Sequence, residues 1–121
     1  ILGIFPEGGI TSTELTKAKP GAVFIASKAN TQILPVPISG GDNAWGDFLK
    51  GVRSHITVNI GKPFGPLEIK GAKEEKISKL ENYNEELMCR IAALLPDDRH
   101  GDYSNDKRIA DYRRENNLDL F

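Results

Sequence analysis

A chain of 121 residues, 39% apolar and 27% charged, has the size of one domain and the make-up of soluble globular proteins. Its 16 basic and 17 acidic residues are interspersed to a net charge of -1, which leaves no basic run or stripe for nucleic acid. The single cysteine, Cys89, excludes an internal disulfide and a zinc-ligand spacing, and no stretch approaches the roughly twenty continuous apolar residues needed to span a bilayer.

The opening run Ile1, Leu2, Gly3, Ile4, Phe5 has the apolar, partly β-branched character of a buried strand. Pro6 cannot donate to a ladder, so pairing should stop there and Glu7 emerges at a strand end. Gly8 and Gly9 then permit positive φ or close approach of backbone to a ligand. A chain that begins without methionine, on what reads as the middle of a β-rich domain, is expected to continue a longer N-terminal part.

A polar loop over residues 10–18 leads to "KPGAVFIASKAN", residues 19–30. There Val23, Ala26 and Ser27 share one side, which predicts a short helix buried against a sheet and stopped at Asn30. "QILPVPISGG" reads as a strand confined to an edge or irregularly paired by Pro35 and Pro37. Strand, helix and strand within forty residues suggest a βαβ unit with a parallel pair. Residues 42–51 carry Trp45, Phe48 and Leu49 and predict a helical turn. From Ser54 the alternation sets Ile56, Val58 and Ile60 against His55, Thr57 and Asn59, a strand with one wet face. Between residues 73 and 95, Ile77, Leu80, Leu87, Ile91 and Leu94 recur at helical spacing up to the stop at Pro96. Cys89 falls within this helix as a small, half-buried apolar residue. The charged remainder, residues 97–121, is expected to dock loosely, with a short helix around residues 109–115.

"FPEGG", "KPGAVFIA" and "ILPVPISG", in this order and spacing, resemble the later blocks of the glycerolipid acyltransferases, the 1-acylglycerol-3-phosphate acyltransferase family. "RIAALLPDDRHGDY" is similar to the end of bacterial members, so the resemblance covers roughly residues 1–103. It implies transfer of a fatty acyl group from a thioester, on coenzyme A or acyl carrier protein, to a hydroxyl of a lysophospholipid or glycerol phosphate. It also implies a membrane-associated enzyme on the cytoplasmic face, acting in phospholipid synthesis without a further cofactor. Carried over by position, Phe5, Pro6, Glu7 and Gly8 match the block that binds the glycerol phosphate, while Leu34, Pro35 and Val36 match the strand beside the acyl donor.

The departures are as informative. The family's Thr-Arg-Ser is here Gly9, Ile10, Thr11, so its phosphate-binding arginine is absent, and Lys19 is the expected substitute. Such enzymes use a His-x-x-x-x-Asp pair as base, and none occurs: five positions after His55 stands Ile60, and five after His100 stands Asn105. The pair is expected upstream of this chain, and the chain alone is expected to be inactive.

Each residue also has a plainer reading. Glu7 can cap backbone amides or face water, Gly8 and Gly9 can be turn punctuation, and Pro35 and Pro37 can blunt a sheet edge. His55 reads as a surface residue, His100 as part of a charged segment unsuited to a positioned base, and Trp45 with Phe48 as local packing. The expectation is an α/β fold with a mixed, partly parallel sheet and flanking helices, residues 1–96 forming the C-terminal part of an acyltransferase domain and residues 97–121 an extension. The alternative is a non-enzymatic anion- or lipid-binding domain built on the glycine turn and a helix N-terminus.

Overall fold

The computed structural model describes residues 1–9 and 12–118. In chain order the elements are α1 (Gly21–Lys28), β1 (Ile38–Ser39), α2 (Ala44–Leu49), β2 (Thr57–Val58) and α3 (Lys73–Ala93). Two single-turn 3-10 helices follow, Asp97–Arg99 and Gly101–Tyr103, and then α4 (Arg108–Glu115).

The spine is α3. Glu74 and Glu75 stand in its first turn and Arg90 in its last, each complementing the helix dipole. Met88, Cys89, Ala92 and Ala93 are fully buried, so the end of the helix is apolar on more than one side and takes neighbours on both. On one side Leu15, Leu95, Tyr103 and Ile109 close over it. On the other lie Val23 of α1, Phe64 and Leu67, around Leu87. Arg90 joins the two groups: its guanidinium stacks 4.5 Å from the Phe64 ring and 4.3 Å from the Tyr112 ring and pairs with Glu86 and Glu115.

The helix expected over residues 19–30 forms as α1, and Asn30, at φ 48, stops it. It packs on α3 rather than on a sheet, and Phe24 and Ile25 stay exposed. Residues 1–5, expected as a buried strand, form no ladder and are exposed.

β1 and β2 make a two-stranded antiparallel ribbon with Ile38 opposite Val58 and Ser39 opposite Thr57. The ribbon continues toward Ile33 and Phe64, but the prolines thin its ladder. Asn59 donates to the Pro37 carbonyl at 3.2 Å and Gly61 to the Pro35 carbonyl at 3.0 Å, and neither proline can return the bond. Between the Gly61–Pro35 bond and the Ile33–Phe64 bridge, Lys62 and Pro63 stand opposite Leu34 alone, which is a β-bulge.

The alternation read for residues 55–60 leaves neither face dry: His55 and Thr57 are exposed, as the polar face should be, but the apolar face is exposed too. Ile56, Val58 and Ile60 are exposed, while the Asn59 amide turns inward and donates to the Leu94 carbonyl at 2.8 Å, satisfying an orphan acceptor at the end of α3. Pro35, Pro37 and Gly61 fill the same inner side, where space is so short that a Cβ on Gly61 would lie 2.7 Å from a Leu94 methyl.

The segment after Pro96 is packed, not loosely docked: Tyr103 and Ile109 are buried, and α4 lies along α3. Asp106 opens α4, accepting from the Arg108 backbone at 3.0 Å and from its guanidinium at 2.7 Å. The Arg108 hydrogen bonds, outweighing partial burial, hold the Asp106 carboxyl far below its ordinary range. A carboxyl with a lowered folded pKa adds stability that is complete above the unfolded value and is lost as pH falls below about 4. Urea unfolding at neutral pH and at about pH 3 should therefore show a smaller acid-induced loss for Asp106→Asn than for the parent; equal losses would mean that the pair adds nothing. Burial pushes the neighbouring Cys89 thiol up to about 12, so this cysteine is a packing residue.

Candidate functional site

The Pro-Glu-Gly turn is closed by the Gly8 amide, which donates to the Phe5 carbonyl at 3.0 Å, with Gly8 at φ 80. A residue with a Cβ resists that conformation, and here it would also meet a neighbour. The Lys19 ammonium nitrogen lies 2.9 Å from where a Cβ on residue 8 would stand, so the lysine side chain lies directly over the glycine. The Lys19 amide donates to the Pro6 carbonyl at 2.8 Å, which fixes the two strands of the loop against each other.

Glu7 is half-buried and its carboxylate is committed on one oxygen only. Oε2 accepts from the Thr16 amide and from the Thr16 hydroxyl, both at 2.8 Å. Oε1 has no partner among the described residues. The plainer reading of Glu7 as an amide cap is thus true of one oxygen, and the other remains free to accept a hydrogen bond.

The strand of the loop that faces Glu7 is stitched to the C-terminal segment residue by residue. The Leu15 amide donates to the Arg99 carbonyl at 3.0 Å, and the Asp102 amide donates to the Leu15 carbonyl at 3.1 Å. Lys17 donates its amide to the Asp102 carboxylate, Asn84 of α3 donates to the Ala18 carbonyl, and Arg99 donates to the Thr13 carbonyl. Thr16, Asp102 and Arg99 carry no local signal in the sequence, since their partners stand 9 to 86 residues away.

Lys19 stands just before Pro20, the cap of α1, whose first amides have no intrahelical acceptor, so the ammonium and the helix end add positive potential on one side of the turn. Lys17 is exposed. Phe5 is exposed beside the turn, and Pro6 is half-buried. Leu34 and Val36 stand on the open face of the ribbon with Ile38, Val58 and Ile60, whereas Pro35 is turned to the interior, where it can shape the strand but touch no ligand. Ile10 and Thr11, the positions expected for arginine and serine, lie outside the described residues.

Neither histidine is placed as a base. His55 is exposed on the ribbon. His100 is only 3% exposed, with Nε2 3.1 Å from the Leu95 carbonyl and 3.3 Å from Arg113, a structural side chain at the end of α3. The adjoining cleft of about 430 Å³ contains none of the residues at the Glu7 turn. Among the described residues no three His, Cys, Asp or Glu side chains are grouped to hold a metal ion, and no helix is long and apolar enough to cross a membrane.

Residues 1–39 match the family model described as Acyltransferase. The matched segment contains the Glu7 turn, Thr16, Lys19 and the Leu34–Val36 stretch of the ribbon, and it supports an acyltransferase without distinguishing among acceptors. No curated protein and no solved structure matches the chain significantly.

Proposed function

We propose that this chain forms the acceptor side of an O-acyltransferase site of the 1-acylglycerol-3-phosphate acyltransferase type. The reaction moves a fatty acyl group from an acyl thioester to a hydroxyl of a lysophospholipid or glycerol phosphate, a step of phospholipid synthesis. The observation that carries this reading is the pairing of a half-committed carboxylate with an ammonium over one glycine turn, inside the segment that matches the Acyltransferase model.

In this reading Oε1 of Glu7 accepts from the acceptor's hydroxyls and orients the reacting one. Lys19 and the start of α1 hold its phosphate. The hydroxyl proton passes to an imidazole as the oxygen attacks the thioester carbonyl; the C–S bond then breaks, and the leaving thiolate takes the proton from the imidazolium. Neither His55 nor His100 is suited to this, so the base comes from a His-x-x-x-x-Asp segment beyond these 121 residues. Leu34 and Val36, on an apolar ribbon face, suit the acyl chain of a donor carried by coenzyme A or acyl carrier protein.

In this reading the antiparallel ribbon belongs to a larger, partly parallel mixed sheet. The amides of Leu34 and Val36 point away from β2 and lack partners among the described residues, so this edge is open to a further strand, and the apolar face is open to cover. Residues 1–96 then belong to the acyltransferase domain, with residues 97–118 bracing its acceptor loop. In this reading the lipid substrates bring the chain to a membrane, and the donor on coenzyme A or acyl carrier protein puts it on the cytoplasmic face.

Titration of the chain with glycerol 3-phosphate and with lysophosphatidate should show saturable binding. Lys19→Met should weaken it roughly ten- to a hundredfold, the order expected for one charge-assisted contact, and Lys17→Met should leave it unchanged. No binding of either compound, or equal effects of the two substitutions, would overturn the acceptor site. Thioester release above a blank by the chain alone would overturn the external base. Binding without release, even when a His-x-x-x-x-Asp segment is joined, would favour a non-enzymatic anion- or lipid-binding domain.

A further inference from the structure

Helix α2 is amphipathic in the wrong sense for a helix that packs on a core. Asp47, its one charged residue, is half-buried and turned to the chain's own polar groups: Asn43 donates to it at 3.2 Å and Ser54 at 2.8 Å. Asp42, just before the helix, is engaged by Arg99 of the C-terminal segment. The large apolar residues point the other way. Trp45 is 80% exposed, Phe48 72% and Leu49 82%, and no residue of α2 is buried.

Trp45 and Phe48 lean on each other edge to face at 6.2 Å, and Val52 extends the patch. The expectation of ordinary local packing therefore holds only between the two rings, which stay exposed among the described residues. A contiguous patch of this kind on a chain of ordinary composition marks a contact surface.

The surrounding charge indicates what makes that contact. Lys50 and Arg53 flank the patch, are exposed and have no ion-pair partner among the described residues. Asp47 is half-buried against Asn43 and Ser54, and Asp42, though exposed, is neutralised by Arg99, so the unpaired charge beside the patch is positive. An indole beside a phenyl ring and a leucine, bordered by two long cationic side chains, matches the boundary between acyl chains and anionic headgroups. There the indole sits at headgroup level and the basic side chains snorkel to phosphate.

We propose that α2 with Val52, Lys50 and Arg53 is a docking surface for an anionic lipid membrane, which inserts Trp45, Phe48 and Leu49 into the interface. The proposal stands independently of the chemistry at Glu7.

Trp45 is the only tryptophan in the sequence, so its fluorescence reports this site alone. The chain is titrated with vesicles of phosphatidylcholine containing phosphatidylglycerol, and binding is read by sedimentation and by Trp45 emission. The emission should shift to the blue and be quenched by acyl chains brominated near the headgroup. Phe48→Asp combined with Leu49→Asp should weaken vesicle binding by roughly tenfold or more, because two large side chains lose their burial. Lys50→Glu with Arg53→Glu should weaken binding to the anionic vesicles while the circular dichroism spectrum stays unchanged.

Vesicle binding with unshifted Trp45 emission would overturn the proposal by placing the contact elsewhere. Undiminished binding of the Phe48→Asp, Leu49→Asp chain would also overturn it. So would a blue shift that rises with protein concentration in the absence of vesicles, which would identify a second copy of the chain as the cover.

Discussion

Gly101→Ala is expected to destabilise the protein by about 3 kcal/mol, a large share of the total stability of a domain this size. Two costs combine. Gly101 has φ 52, a left-handed conformation that costs a residue with a Cβ roughly 1 kcal/mol. A methyl group there would also lie inside the contact radius of the Leu15 carbonyl oxygen, and overpacking of this kind adds about 1–3 kcal/mol. The obstacle is backbone, and that carbonyl already accepts the Asp102 amide, so it has little freedom to move away. Urea unfolding measures the effect, with Gly21→Ala as control: no atom lies within 4 Å of a Cβ there, and alanine suits the first turn of α1. The control should be neutral or slightly stabilising. Equal midpoints for the two variants would mean that the contact between the C-terminal segment and Leu15 bears little of the stability. Because the same contact holds the loop opposite Glu7, Gly101→Ala should weaken acceptor binding as well.

Glu7→Gln should separate the site from the scaffold. Glutamine can keep one oxygen facing Thr16 and accept the same two hydrogen bonds, so the loop and the unfolding midpoint should change little. The outward atom is then an amide nitrogen, which donates where the acceptor's hydroxyls need an acceptor, and the negative charge is gone. Binding of glycerol 3-phosphate and lysophosphatidate should fall roughly ten- to a hundredfold, the span expected for a charge-assisted hydrogen bond. Glu14→Gln should be silent, because Glu14 is exposed and takes no part in the turn. Small, equal losses at both positions would reduce Glu7 to a tie between the turn and Thr16.

The sequence by itself determined the features that depend on neighbours in the chain. The period of Ile77, Leu80, Leu87, Ile91 and Leu94 and the break at Pro96 located α3, because one helical face must be buried and proline cannot extend the turn, although Ile77 itself stays exposed. Asn30 stopped α1, and the glycine after Glu7 marked a turn of positive φ, because these are local backbone preferences. Lys19 was legible beside that turn only through its position just before a helix, and the structure laid its side chain over Gly8.

Tertiary structure alone decided which faces are covered. Alternation at residues 55–60 defines two faces without naming the inner one. The Leu94 carbonyl, needing a donor at the end of α3, drew Asn59 inward and left Ile56, Val58 and Ile60 outside. The same holds for α2, where Asp47 found Asn43 and Ser54 and the aromatic side turned outward. It holds for Glu7, whose Thr16 partner is set by a loop that Arg99 and Asp102 close from the far end of the chain. Apolar periodicity records that a residue has a side to bury, whereas the partner that buries it is fixed by hydrogen-bond acceptors and carboxylates distant in sequence, whose positions exist only after the chain has packed.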